Sequence, residues 1–144
     1  MNSPFMHAPT FSKTIPSLMT EADSLCLEIR ALLQPRDLDR ICFPVELLTR
    51  ECLANAVTHG NRSDPGKWIV LRLWAGREWI RLQVTDEGPG FAWRKIRQSK
   101  LDTAASSGRG LQLYTLYAER VRFNRSGNQI TLWISKTNRT RKED

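Results

Sequence analysis

The sequence predicts a two-layer α/β sandwich, a mixed and mostly antiparallel sheet carrying its helices on one face. Three observations lead there. Apolar residues recur at helical spacing in the first half of the chain, and alternate with polar ones in the second half. The elements also follow the order strand, two helices, two strands, long loop, helix, two strands. At 144 residues the chain suits one domain with a substantial core.

The elements follow in order. Residues 1–9 contain two prolines and little periodicity, and are expected to be disordered; residues 10–136 form the domain, and 137–144 a basic tail. A short edge strand is expected over 10–15. A helix follows from about 17–20 to Leu33, carrying Leu25, Leu27, Ile29, Leu32 and Leu33, and Gln34-Pro35-Arg36-Asp37 ends it. A second helix is expected to start near Pro44, since proline suits the first helical position. It is expected to end at Gly60 in a left-handed cap. Strands over 68–74 and 78–86 turn at Ala75-Gly76-Arg77. In the latter, Ile80, Leu82 and Val84 alternate with Arg81, Gln83 and Thr85, the pattern of a half-buried strand. Residues 91–107 read as a long mobile loop. A helix over 109–118 and two strands, 120–124 and 129–135, complete the domain, the last turn lying at Ser126-Gly127-Asn128.

Composition excludes several functions. No apolar run reaches the roughly 18 residues that a membrane span needs. The first eleven residues lack a basic leader and an apolar segment, so a cytoplasmic location is expected. Cys26, Cys42 and Cys52 fit no zinc spacing and read as small buried hydrophobes, while His7 and His59 do not suggest a metal pair. The net charge of +7 favours polyanions or an acidic protein surface. No stretch interleaves aromatic and basic residues in the manner that stacks single-stranded bases, so direct nucleic-acid binding is not expected.

Three segments carry chemistry. On the second helix, Val45, Leu48, Cys52, Leu53 and Ala56 form the apolar stripe, and Glu51 and Asn55 share one flank of it. The amide oxygen suits a hard cation such as Mg²⁺. The carboxylate suits orienting or deprotonating a nucleophile. Taken alone, such a pair is more often simply solvated. Asp86 continues the inward face of Ile80, Leu82 and Val84, and a buried carboxylate needs a donor, which a ligand amino group would provide. The alternative is a strand-end Asp capping its own turn. Gly88 and Gly90 allow close approach of backbone to a ligand, and Phe91 adds an apolar wall. Finally, Gly108-Arg109-Gly110-Leu111 opens a helix after the long loop, where N–H groups and a guanidinium suit a phosphate. Glycines that merely end a flexible loop are the competing reading.

Order and spacing add what each segment lacks. Glu51-Cys-Leu-Ala-Asn55-Ala-Val-Thr-His-Gly-Asn61, Asp86-Glu-Gly88-Pro-Gly90-Phe91 and Gly108-Arg109-Gly110-Leu111 resemble the N, G1 and G2 boxes of the GHKL ATPase superfamily. The resemblance spans about residues 10–136 and implies the Bergerat ATP-binding fold. Within that group the chain is most similar to the anti-sigma factor serine/threonine kinases. By that resemblance Glu51 is the general base toward a partner's hydroxyl, Asn55 binds Mg²⁺, and Asp86 receives the adenine amino group of ATP. Gly88 and Gly90 shape the adenine pocket, residues 92–107 are the lid, and Gly108, Arg109 and Gly110 contact phosphates. The implied partners are a STAS-type anti-anti-sigma protein, a sigma factor, and a second copy in a homodimer. Relatives carry a Gly-Thr near the final hairpin that helps hold adenine; here Gly127 precedes Asn128, and Thr131 sits at a different phase.

Overall fold

A computed structural model describes residues 8–34, 39–90 and 106–137. The expectations for residues 1–7, for the Pro35–Asp37 break, for Phe91 and the loop up to residue 105, and for the tail from 138 onward fall outside them. The described elements are β1 (Phe11–Pro16), α1 (Met19–Leu33), α2 (Asp39–Asn55), a π-helical turn (Ala56–Gly60), β2 (Trp68–Ala75), β3 (Trp79–Asp86), α3 (Ser106–Tyr117), β4 (Arg120–Phe123) and β5 (Gln129–Ser135). The strands form one sheet in the order β1-β2-β3-β5-β4. All four pairings are antiparallel, so the two-layer fold with a mostly antiparallel sheet is as expected, with no parallel pair among the described strands.

Burial on α1 falls on Ala22, Leu25, Cys26, Ile29 and Leu33, spaced by three and four as one helix face demands. Leu27 is 58% exposed, since it sits about half a turn from that face. The stripe on α2 continues through Ile41, Val45, Leu48, Cys52 and Leu53 against Ile69, Leu71, Leu73, Leu82 and Leu132 of the sheet. Each such side chain stabilises the fold by about 1.5–3 kcal/mol.

The start of the second helix differs from expectation. α2 starts at Asp39, so Pro44 lies inside it. Burial of Ile41, one turn ahead of Val45, holds the extra turn despite the N–H that proline lacks. The helical run does end at Gly60, as expected, but it reaches that residue through the π-helical turn and without a left-handed cap there: the positive φ angles fall on Arg62 (53°) and Ser63 (58°).

β3 is buried on both sides of its alternation rather than on one: Arg81 is 3% and Gln83 9% exposed. The Arg81 guanidinium lies against the Trp74 ring, and Gln83 Nε2 donates to Thr131 Oγ1 (3.2 Å). Cys26 and Cys52 are buried as expected and Cys42 is half-buried. No helix among the described residues is long and apolar enough to cross a membrane.

Candidate functional site

The last turn of α2, the end of β3, the turn before β5 and the middle of α3 converge on one cleft of about 240 Å³. Asn55 closes α2, and the widened turn after it carries the chain forward, with Asn61 N–H reaching Ala56 O (2.8 Å). Such π-helical insertions concentrate at functional sites. Asn61 then fixes that turn to the sheet. Fully buried, it donates from Nδ2 to Trp68 O (3.1 Å) and accepts from Glu87 N–H at Oδ1 (2.9 Å).

Asp86 forms the floor. Its main chain is held from both sides by Asn128: Asp86 N–H donates to Asn128 O (2.9 Å), and Asn128 Nδ2 donates to Asp86 O (3.1 Å). Gly88 N–H donates to Oδ1 (2.8 Å). Oδ2 lies directly over Gly60, where a Cβ would stand 2.2 Å away. A Cβ on Gly88 would stand 1.9 Å from Gly60 O, so backbone and carboxylate touch here with no room for a methyl. Burial pushes the Asp86 carboxyl above the usual carboxylate range, opposed by the Gly88 N–H and by Lys67. A half-buried carboxylate with one oxygen unengaged is an acceptor for an amino group. The adjoining walls, Ala56, Val84, Phe123 and Ile130, are apolar and suit the faces of a flat heteroaromatic ring.

Across the cleft, Asn55 Nδ2 donates to Tyr114 Oη (2.8 Å). Tyr114 is 3% exposed and also shares a hydrogen bond with the Cys52 thiol. Burial pushes Cys52 up to about 12 and Tyr114 well above its ordinary value, so both stay neutral around neutral pH. With its nitrogen engaged by Tyr114, the Asn55 carboxamide offers its oxygen to the cleft. That is the end a hard cation takes.

The structure brings Asn55, Asp86 and Gly90 together as lining residues, with Gly88 packed behind Asp86. Glu51 is half-buried one turn before Asn55. It does not line the cleft, although it lies near enough to Tyr114 to raise its pKa further. Gly108, Arg109, Gly110 and Leu111 belong to α3, which begins three residues before the expected Arg109. Gly108 and Arg109 thus fall among its first four residues, whose N–H groups have no partner inside the helix. The Arg109 and Leu111 side chains fall outside the described residues.

Sequence reasoning missed Tyr114, Asn61 and Asn128. Asn61 stood in the quoted motif without a role, and Tyr114 was signalled only by lying one turn after Gly110. Thr131 is on the opposite face of the sheet, paired with Gln83, and cannot reach the cleft. Asn128 does line it, but its amide is spent on Asp86 and on Asn124 and Ser126.

None of the curated proteins compared with this chain matches it. A family model described as the histidine kinase-like ATPase domain matches residues 15–136, from the end of β1 to just past β5. The match covers most of the chain and every segment that builds the cleft. The chain therefore belongs to the histidine kinase-like ATPase domain family.

Proposed function

We propose that this domain binds Mg-ATP and transfers its γ-phosphate to a serine or threonine of a small STAS-type regulatory protein, in the cytoplasm, as an anti-sigma factor-type kinase. The observation that carries the reading is the carboxamide of Asn55, aimed by Tyr114, with a carboxylate one helical turn before it. Asp86 receives the adenine amino group on Oδ2, and Val84 and Ile130 pack on the ring. The amide oxygen of Asn55 would hold Mg²⁺, a cation that takes oxygen ligands and would offset the phosphates' charge. Gly108 and Arg109 N–H groups at the start of α3 meet the phosphates. Bound there, ATP supplies the phosphoryl group and Mg²⁺ offsets its charge. Glu51 takes the proton of the partner's hydroxyl as its oxygen attacks the γ-phosphorus and ADP leaves. Sequestration of a sigma factor and pairing of two copies belong to the same reading.

Incubation with labelled Mg-ATP and a STAS protein tests it. Label is expected on a Ser or Thr of that protein, falling by a factor of about 10²–10⁴ with Glu51→Ala while ATP binding persists. Bound ATP without transfer to any STAS partner would sink the kinase step. A second reading draws support from Glu51 lying outside the cleft lining: a regulatory module switched by ATP occupancy without useful catalysis. In that case Glu51→Ala leaves partner regulation intact, whereas Asn55→Ala disrupts it.

Tyr114→Phe separates positioning from folding. Without the hydroxyl, Asn55 loses the acceptor that selects its carboxamide orientation. Affinity for ATP in the presence of Mg²⁺ is expected to drop by about tenfold, near the value of one hydrogen bond. Affinity measured in EDTA should barely move. Equal loss under both conditions would remove the cation from Asn55.

A further inference from the structure

The face of the sheet turned away from the helices has its own composition. Strand register sets Trp74, Arg81, Trp133 and Arg120 side by side across β2, β3, β5 and β4. Two residues along, Arg72, Gln83, Thr131 and Arg122 form the next row. Trp68 and Trp79 occupy outward positions of the same strands and are 51% and 43% exposed. Four of the chain's five tryptophans therefore share this face. Asp86 is the only acidic residue in any of the five strands, and it points to the other side, into the nucleotide cleft.

Neighbours hold these cations in place. The Arg81 guanidinium lies 3.9 Å from the Trp74 ring centroid, and that of Arg120 5.0 Å from the Trp133 centroid. Arg72 donates to Gln83 Oε1 (3.4 Å). Guanidinium groups stacked on indoles in this way have lost much of their rotamer freedom before any partner arrives. Exposed Arg120 and Arg122 then present forked donors that match carboxylates. A shallow depression of about 760 Å³ runs beside the first row, with Trp74, Trp79 and Trp133 in its walls. Trp and Arg are the residue types that dominate binding energy at protein interfaces.

We propose that this face docks an acidic segment of a partner protein, carboxylates pairing with Arg72, Arg120 and Arg122 and apolar side chains resting on Trp74, Trp79 and Trp133. Glu78 and Glu119 also line the depression, Glu119 accepting from Trp79 Nε1 (2.9 Å), so carboxylates of the segment sit toward Arg72 and Arg122 in the second row. Nucleic acid, the competing polyanion, is an outcome of the test. A second copy docked face to face would set two arginine-rich surfaces together. The site lies across the sheet from the nucleotide cleft and does not depend on the reading given above for that cleft.

The test uses the full chain and three fluorescein-labelled probes: a short peptide alternating Glu with Tyr, its Lys/Tyr counterpart, and oligo(dT). Anisotropy is expected to show binding of the Glu/Tyr peptide alone. Affinity should fall by about tenfold or more in Arg72→Glu/Arg122→Glu. It should hold within about twofold in Arg50→Glu/Arg62→Glu, which changes net charge equally outside the strands, and in Asp86→Asn, which disables the nucleotide cleft. Equal losses in both double variants would reduce the binding to net charge and overturn the proposal. So would tighter binding of oligo(dT) with the same arginine dependence, or self-association in sedimentation that Arg72→Glu/Arg122→Glu abolishes. Should the charge-reversed protein fail to melt like the parent, Arg72→Gln/Arg122→Gln carries the same comparison, with a smaller expected loss.

Discussion

Asp86→Asn is expected to weaken ATP binding by about a hundredfold or more while leaving the domain at least as stable as the parent. Asn keeps an oxygen for the Gly88 N–H, now 2.8 Å from Oδ1. Its amino group then replaces Oδ2 over Gly60 and meets the adenine amino group donor to donor. The loss is that of a hydrogen bond to a charged acceptor plus the strand of desolvated donors left behind. Stability moves the other way because burial raises the Asp86 pKa. A folded-state value above the unfolded one means that the ionised carboxylate costs more in the folded protein. That cost is absent below the unfolded pKa, grows between the two values, and is complete above the folded one. Asn escapes it, so at neutral pH the variant should melt at or above the parent's temperature, and the two curves should converge in acid. For the same reason, the parent's ATP affinity should begin to fall at higher pH than an ordinary carboxylate would dictate. Calorimetric titration with ATP and thermal melts across pH check both arms. An Asn variant that binds ATP normally, or that is clearly less stable at neutral pH, would contradict the role assigned to Asp86.

Gly88→Ala should damage fold and binding together. The added methyl would sit 1.9 Å from Gly60 O and 2.6 Å from Gly60 C, and backbone on both sides leaves no flexible side chain to yield. Relief requires prising the π-helical turn away from the end of β3. Overpacking of this kind costs about 2–3 kcal/mol, which lowers the melting temperature by roughly 6–12 °C in a domain of this size. Binding falls too, since Asp86 Oδ1 loses its N–H partner as the loop shifts. Gly66→Ala is the control: its nearest contact is the Asp64 side chain at 3.2 Å, and both readouts should stay near the parent's. A Gly88→Ala protein with parental stability and affinity would mean that the two segments are not in contact.

How much of this was legible beforehand differs from residue to residue. The placement of Asn55 and Asp86 was readable, because a helix flank and the inward phase of a strand follow from local periodicity alone. Gly60 was legible as a glycine with a purpose, yet the purpose was misread. A left-handed cap is a local property, whereas the contact with Asp86 joins residues 26 apart in sequence. Pro44 misled for a related reason, since local preference favours a helix start there and burial of Ile41 overrides it. Glu51 was placed correctly on its flank, but periodicity does not say how far from the cleft that flank stands. Tyr114 and Asn128 act on groups some 59 and 42 residues away, and nothing local announces either bond. The row of Trp74, Arg81, Trp133 and Arg120 is the extreme case. No stretch of chain interleaves these residues, and they become neighbours only when four strands are laid in register.

The sequence by itself determined the order of the elements, the apolar faces of α1 and α2, the strand alternation and the three segments that resemble ATP-binding boxes. Those follow from periods of two and 3.6 residues and from spacing along the chain. Tertiary structure alone decided that the sheet is antiparallel throughout and that Gly60 and Gly88 close the floor under Asp86. It also decided that Tyr114 orients Asn55, and that the outer face of the sheet gathers tryptophans and arginines. Each of these depends on strand register and on contact between distant segments, which backbone hydrogen bonding and core packing fix only once the whole chain has folded.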